Sequence, residues 1–318
     1  YEIRSGDWSS DVCSSDLGVS FSTSNVFETP YRFLDLHYKY ANGDRNARLD
    51  QTSAYWGGPE LDKGITAVQW NSPVDASGNK TPTELKSYKD NVKNFLQTGI
   101  TTTNNIAISG SNDKTTYRVS YNYMGNQGLI PNSDLKRHSI SATGTYEISK
   151  KIKLNSNLNF VRSQSDNRPS TANRGANPIE AAYQWSNVDI RELKNYWVPG
   201  NEQIKQLSPT NGDNPYFLAY GINNGFNRDR IYGNMKLDYE ITPELTAFAR
   251  VSHDMFVEDR ETKIPWSYSR VRNGGYYLQG IGRKETNTDF LLTYKKKINA
   301  LDLSVSGGGN YMVQNYKE

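Results

Sequence analysis

Cysteine is nearly missing from this chain, with Cys13 the one thiol in 318 residues. It cannot close an intramolecular disulfide, and no Cys/His spacing fits a metal site. Long hydrophobic runs are missing too. No stretch of about 18 apolar residues occurs, which excludes a transmembrane helix. Histidine is scarce: His37, His138 and His253 lie far apart, so isolated surface or loop residues are a simpler reading than a catalytic cluster. No charge sign dominates, the formal net charge being +3. The basic residues form no stripe, which leaves nucleic-acid binding without support. There is no P-loop, no G-x-G-x-x-G between strand and helix, no H-E-x-x-H and no nucleophile elbow. The carboxylates are scattered, and GDRN at 43–46 and SNDKT at 111–115 read as polar turns. No catalytic, cofactor-binding or metal residue is assigned, ligand contacts remain unknown, and the chain is not expected to be an enzyme.

What is present is tyrosine, with 22 residues against 10 Phe and 6 Trp. Tyr and Trp suit pleated, half-buried strands and the membrane–water interface, where an apolar ring meets a polar tip. The mean hydropathy of −0.78 fits a soluble all-β protein. It fits a transmembrane β-barrel equally, because such a barrel turns only alternate side chains to lipid and keeps a polar lumen and polar loops.

Residues 1–17, YEIRSGDWSSDVCSSDL, are polar and without period. Their core resembles a translated sequencing adapter, so the segment is excluded from the fold and expected to be disordered. Cys13 and Trp8 then carry no functional weight. No signal peptide is present, and the natural N-terminus is expected to lie upstream.

From Gly18 onward the pattern is strand, connection, strand. KIKLNSNLNFVR puts Ile152, Leu154, Leu158 and Phe160 on one face, with Lys153, Asn155, Asn157 and Asn159 on the other. That is a strand with one apolar and one wet face. HSISATGTYEIS before it aligns Ile140, Ala142, Tyr146 and Ile148, and only Ser149-Lys150 separates the two, which predicts a tight hairpin. KTTYRVSYNYM aligns Tyr117, Val119, Tyr121 and Tyr123 after the turn Ser111-Asn112-Asp113. IYGNMKLDYEI joins LTAFARVSHDMFV through Thr242-Pro243-Glu244, and DFLLTYKKKI joins LDLSVSGGGNYMV through Asn299-Ala300. Gly307-Gly308-Gly309 would allow a bend or a close backbone approach.

The reading gives about nine strands of roughly 10 to 13 residues, long for a soluble sheet and sufficient to cross a bilayer at a tilt. Short turns alternate with long connections at 29–98, 124–137, 163–228 and 259–283. That asymmetry is expected of an outer-membrane barrel and has no rationale in a soluble sandwich. Within the long segments, residues 83–96 and 178–193 have apolar residues at helical spacing, the second with Pro178 suited to a first helical position. Trp56, Trp70, Trp185, Trp197 and Trp266 fall in presumed loops, where exposed rings could line a ligand path or simply pack.

Four stretches then carry a family resemblance: GVSFSTSNVFETPYR; VQWNSPVDASGNKTP with DNVKNFLQTGITTTNNIAISGSNDKTTYRVSYNYMGNQGLIPNSDLKR; NPIEAAYQWSNVDIRELKNYWVPGNEQ with DNPYFLAY; and RIYGNMKLDYEITPEL. In order and spacing the chain from Gly18 to Glu318 resembles the SusC/RagA-type TonB-linked outer-membrane transporters. The resemblance implies an all-β antiparallel meander forming the N-terminal part of a transmembrane barrel of about 22 strands, with long extracellular loops. It implies import of glycans or peptides, a SusD-like surface lipoprotein as lid, TonB acting through a region outside this chain, outer-membrane lipids around the barrel, and no cofactor. The plug, the TonB box and about thirteen later strands are expected to lie outside residues 18–318, so this stretch alone is not expected to transport. The competing readings are a structural or adhesive outer-membrane β-protein and a soluble carbohydrate-binding β-protein.

Overall fold

The computed structural model describes residues 17–36, 38–44, 47–53, 55–172, 175–209 and 212–318. The N-terminal segment 1–16, His37 and part of the GDRN turn lie outside the described residues. One antiparallel sheet of nine strands organises the chain, each strand pairing with its neighbours in sequence. We label these β1 (Gly18–Glu28), β2 (Gly99–Ser111), β3 (Thr115–Gln127), β4 (Asp134–Ser149), β5 (Ile152–Ser165), β6 (Asn223–Glu240), β7 (Leu245–Tyr268), β8 (Val271–Ile298) and β9 (Leu301–Lys317). The meander and its strand number are as the alternation predicts.

The register holds the two faces apart across all nine strands, with one slip at Glu147–Ser149 beside a turn. Starting at Phe21, the pairing passes through Ile106, Tyr121, Ile140, Phe160, Ile231 and Met255. Leu158 lies between Ala142 and Gly233 on the same side. Side chains alternate along a strand, so a constant register keeps every member of such a row on one face. This face is apolar and exposed, with Phe21, Ile106, Val119, Ile140, Leu158, Val251, Phe290 and Val305 all open to the surroundings. A soluble monomer does not leave so wide a contiguous apolar surface bare. Lipid is the medium that removes its cost. The rows also step relative to the turns. The row that begins beside the first short turn at Thr115 runs through Tyr146, Leu154, Leu237 and Ala249 to Phe290, which lies deep inside its own strand. Such stagger is what closing strands into a barrel requires.

Several details differ from expectation. The strands run from 11 residues in β1 to 28 in β8, beyond the 10 to 13 expected. The long connection expected at 259–283 is not a loop: β7 and β8 continue through it and turn at 269–270. About 9 to 11 residues suffice to cross the bilayer, so this hairpin projects well past it. There both faces are wet, and the alternation that marks a membrane strand is lost. For the same reason the connection expected at 124–137 contracts to residues 128–133. Helix content is lower than the spacing implies. Over 83–96 only Asn91–Phe95 (α1) is helical, and Thr83–Glu84 instead pairs with Thr66–Ala67. Over 178–193 there is Pro178–Ala182 (α2) and a 3₁₀ turn at Ile190–Leu193. Apolar residues at helical spacing here pack against another loop rather than along one helix face. Gly307–Gly309 does not bend β9; Gly308 instead allows close approach, since a Cβ there would sit 2.3 Å from the Phe290 carbonyl oxygen. The Asn299-Ala300 turn is as read, with Asn299 at φ 57°, a conformation Asn tolerates better than most residues. The Ser149-Lys150 turn shifts by one, to 150–151, next to a register slip at Glu147–Ser149.

Candidate functional site: an inner wall beneath two packed loops

The face opposite the apolar one is a polar wall. On β6, β7 and β8 it is built from crossed ion pairs. The Arg230 Nε donates to Asp254 Oδ1 at 2.8 Å and the Arg250 Nε to Asp289 Oδ1 at 2.9 Å. Higher on the same face, Glu258 accepts from both Arg228 and Arg260. Amides continue the wall onto β4 and β5: Asn155 donates to Asp238 at 2.7 Å and Ser141 to Asn159 at 2.8 Å. A wall of paired charges and amides suits water, not lipid.

Above the wall, the connections 29–98 and 166–222 fold onto each other and hold the chain's principal hydrophobic core. Val92 and Phe95 from the first pack with Ala182, Trp185, Val188, Ile190, Leu193, Tyr216 and Ala219 from the second. Two buried asparagines lock the pair. Asn91, 2% exposed, donates to the carbonyls of Trp185 (3.1 Å) and Val188 (2.8 Å), and accepts from the Ile190 N–H at 3.1 Å. Asn42 donates to the Gln184 carbonyl at 3.3 Å and accepts from the Ser186 N–H at 3.4 Å. Buried backbone groups of an irregular segment need partners, and these amides supply them where no helix or sheet does. The second connection is also tied to the tip of the β7–β8 hairpin. Gln206 Nε2 donates to the Ser267 carbonyl at 2.7 Å, and Asp213 accepts from the Ser269 N–H at 2.9 Å.

The tryptophans therefore do not form one exposed set. Trp185 is the centre of the loop core; Trp56, Trp70 and Trp197 are half-buried; Trp266 stands exposed on β7 rather than in a loop. His138 and His253 lie on separate strands, bonded to Tyr121 Oη and Thr286 Oγ1 at 2.8 Å each. Among the described residues no three His, Cys, Asp or Glu groups gather as metal ligands. The SNDKT turn is structural, with Asn112 Oδ1 accepting from the N–H groups of Lys114 and Thr115. Sequence reasoning did not find Asn42 and Asn91. Their role depends on a loop more than ninety residues away, and a lone Asn in a polar stretch carries no mark of it.

Titration of the loop groups has consequences for this assembly. The Arg191 guanidinium holds the Asp189 carboxyl below its usual range, and the Ser87 hydroxyl does the same for Asp62. Each contributes stability that is fully present above the ordinary carboxylate value of about 4 and is lost as pH falls through the lower folded value. Burial raises the Tyr216 hydroxyl to about 12. Its contribution is fully present below a value of about 10 and is lost as pH rises toward the folded one. Amide protection across 178–193 is therefore expected to be flat near neutrality, and to fall below pH 4 and again above pH 10. Undiminished protection at pH 3 would remove the assigned role of Asp189 and Asp62.

Comparison with known proteins agrees with this geometry. No protein-family model matches the chain. It is 28% identical over 240 residues to the TonB-dependent receptor P3 of Formosa agariphila, a match covering 69% of this chain and 22% of that protein. It is 24% identical over 253 residues to the TonB-dependent receptor SusC of Bacteroides thetaiotaomicron, covering 73% and 25%. Among solved structures, it superposes on the RagAB peptide transporter with a TM-score of 0.63 at 16% identity, over 95% of this chain and 35% of that one. The 'closed-closed' state of the RagAB peptide importer gives 0.62 at 15% identity, over 95% and 36%. The chain thus spans about a quarter of the length of these curated relatives. The curated relatives are TonB-dependent receptors and the solved structures a peptide transporter, rather than enzymes. In sequence the chain is similar to part of SusC-type TonB-dependent receptors, and in fold it matches part of the RagAB peptide transporter, together supporting a SusC/RagA-type β-barrel.

Proposed function

We infer that the intact protein imports oligosaccharides or peptides across the outer membrane, with a SusD-like lipoprotein closing over its loops and TonB supplying the force. The observation that carries this reading is the pairing of an ion-paired polar wall with an ordered, self-packed loop assembly above it, on a barrel of this receptor type. A polar inner wall is common to outer-membrane barrels, so the likeness to receptor and importer chains is what favours transport over adhesion. The lipoprotein lid would rest on the two packed connections, whose shared core gives it a firm surface. In this reading residues 1–17 are foreign sequence and the native barrel is joined at Gly18, where β1 begins.

The test is uptake by cells that carry the full-length receptor. Deleting its gene is expected to abolish uptake of at least one fluorescent oligosaccharide or peptide pool. The full-length receptor should restore it, and a form unable to contact TonB should not. Unchanged uptake of every pool after deletion would sink the transport reading and leave the adhesive one.

A further inference from the structure

The upper part of the inner wall holds a cationic groove that the structural pairs do not explain. Its floor is two register rows of β6, β7 and β8: Asn224, Thr262 and Tyr277, then Phe226, Arg260 and Gln279. The next row carries Arg228 and Glu258. Glu258 is buried, with its side chain 1% exposed, and it is shared by Arg228 and Arg260. One carboxylate therefore faces two guanidiniums. A third enters from the loop: Arg168 lies over the Phe226 ring, 4.1 Å from its centroid, and makes no ion pair among the described residues. Partial burial, and then the charge of Arg260, lower the pKa of Arg168, while the Glu258 carboxylate opposes them. A further carboxylate on the wall, Glu318, is bonded to Gln279 and Tyr316 and also feels the charge of Arg260.

Arg168 is held firmly in this place. Its N–H donates to the Asn224 carbonyl at 2.9 Å. The buried Asn167 before it donates to the carbonyls of Asn132 (2.9 Å) and Ala219 (3.0 Å) and accepts from the Asn224 N–H. Arg168 is exposed, so water screens it, but a guanidinium placed beside two others in a groove draws an incoming anion. Between Arg168 and Arg260 opens a groove of about 670 Å³, with Ser170, Thr262, Gln279 and Tyr277 in its lining. Guanidinium pairs recognise a carboxylate through two parallel hydrogen bonds. The hydroxyl and amide groups around them match sugar hydroxyls, and the exposed Tyr277 ring offers a face for a pyranose to stack on.

We propose that this groove is a subsite for a carboxylate-bearing sugar, a uronate unit of the imported solute, held between Arg168 and Arg260 with its ring against Tyr277. The proposal rests on the transport reading above. A peptide carboxylate offers the same charge but makes less use of the ring platform and the polar lining, and it serves as the competing outcome of the test.

The experiment is calorimetric titration of the full-length receptor in detergent with trigalacturonic acid, its fully methyl-esterified form, and triglutamate. Trigalacturonate is expected to bind and to weaken as salt rises. Methyl esterification, or Arg168→Gln, should each weaken it about tenfold or more, the worth of a charged hydrogen-bonded contact. Arg168 has no structural ion pair to lose, so Arg168→Gln should keep the heat-modifiable gel mobility of a folded barrel. Tyr277→Ala, on an exposed position, should weaken trigalacturonate but not triglutamate. Equal binding of acid and ester, or full affinity in a folded Arg168→Gln, overturns the proposal. So does binding of triglutamate without trigalacturonate. If neither acid binds while neutral pools are still taken up by cells, the subsite fails and the transport reading stands; loss of both would come only with failure of the uptake test.

Discussion

Leu158→Arg is expected to cripple assembly of the barrel, while Asn157→Arg, one residue away, is expected to be nearly silent. Leu158 sits mid-strand on the outward face, 58% exposed, between Ala142 and Gly233. If that face meets hydrocarbon, a guanidinium there costs about 2–4 kcal/mol near the bilayer midplane. Asn157 faces the other way, between Thr143 and Asn234, on a wall that already carries several arginines, and water reaches an added one. Urea unfolding of the full-length receptor in lipid vesicles, read with heat-modifiable gel mobility, measures both. The midpoint should drop for Leu158→Arg alone. Equal midpoints for the two variants would mean that the apolar face is not in lipid. Improved solubility of Leu158→Arg would revive the soluble reading, in which an exposed leucine is a liability.

The second large effect is expected at Trp185. It is 2% exposed and contacts the loop core from both connections. Trp185→Ala removes the largest side chain of that core, a change worth about 3–5 kcal/mol in a buried site. Loop assemblies sit at the low end of local stability, so the loss is comparable to everything holding the two connections together. Trypsin should then cut within 29–98 and 166–222 while the strands remain folded. The indole Nε1 of Trp185 is buried without a hydrogen-bond partner among the described residues. Trp185→Phe deletes that orphan donor along with part of the ring, and its penalty should therefore be much smaller than that of Trp185→Ala. Protease resistance of Trp185→Ala equal to the parent would show that the loops are held by their ties to the hairpin rather than by their core.

The sheet was largely legible because period 2 survives wherever one face meets lipid and the other meets water. Ile152, Leu154, Leu158 and Phe160 against Lys153, Asn155, Asn157 and Asn159 need no tertiary information to be read. Legibility ends where that contrast ends. In EDRETKIPWSY, which climbs β7 above the membrane, both faces are solvated, so the residues look like loop although they are strand. The helical spacing of Leu85, Val92 and Phe95 was real but did not make one helix face: Val92 and Phe95, on α1, pack on the neighbouring connection, while Leu85 packs with Ala41 and Leu61 of its own. The arginines of the proposed subsite were not legible either. Arg168 and Arg260 meet only through the register of three strands and a loop start.

The lipid face and the loop core are separate hydrophobic phases within one chain, tied above the bilayer by polar bonds such as Asn132 to Ala219, Gln206 to Ser267 and Asp213 to Ser269, and by Phe217, Leu218 and Ile222 packing with Tyr268 at the hairpin tip. Inheritance can therefore act on them separately. A lineage can replace the interior of 29–98 together with 166–222 without changing a residue that meets the bilayer. What must travel as a set is the two connections, because Asn42 and Asn91 in one are written against the backbone of the other. Recombination that swaps a single connection should leave hybrids with an intact barrel and a disordered crown, and surviving lineages should exchange the pair.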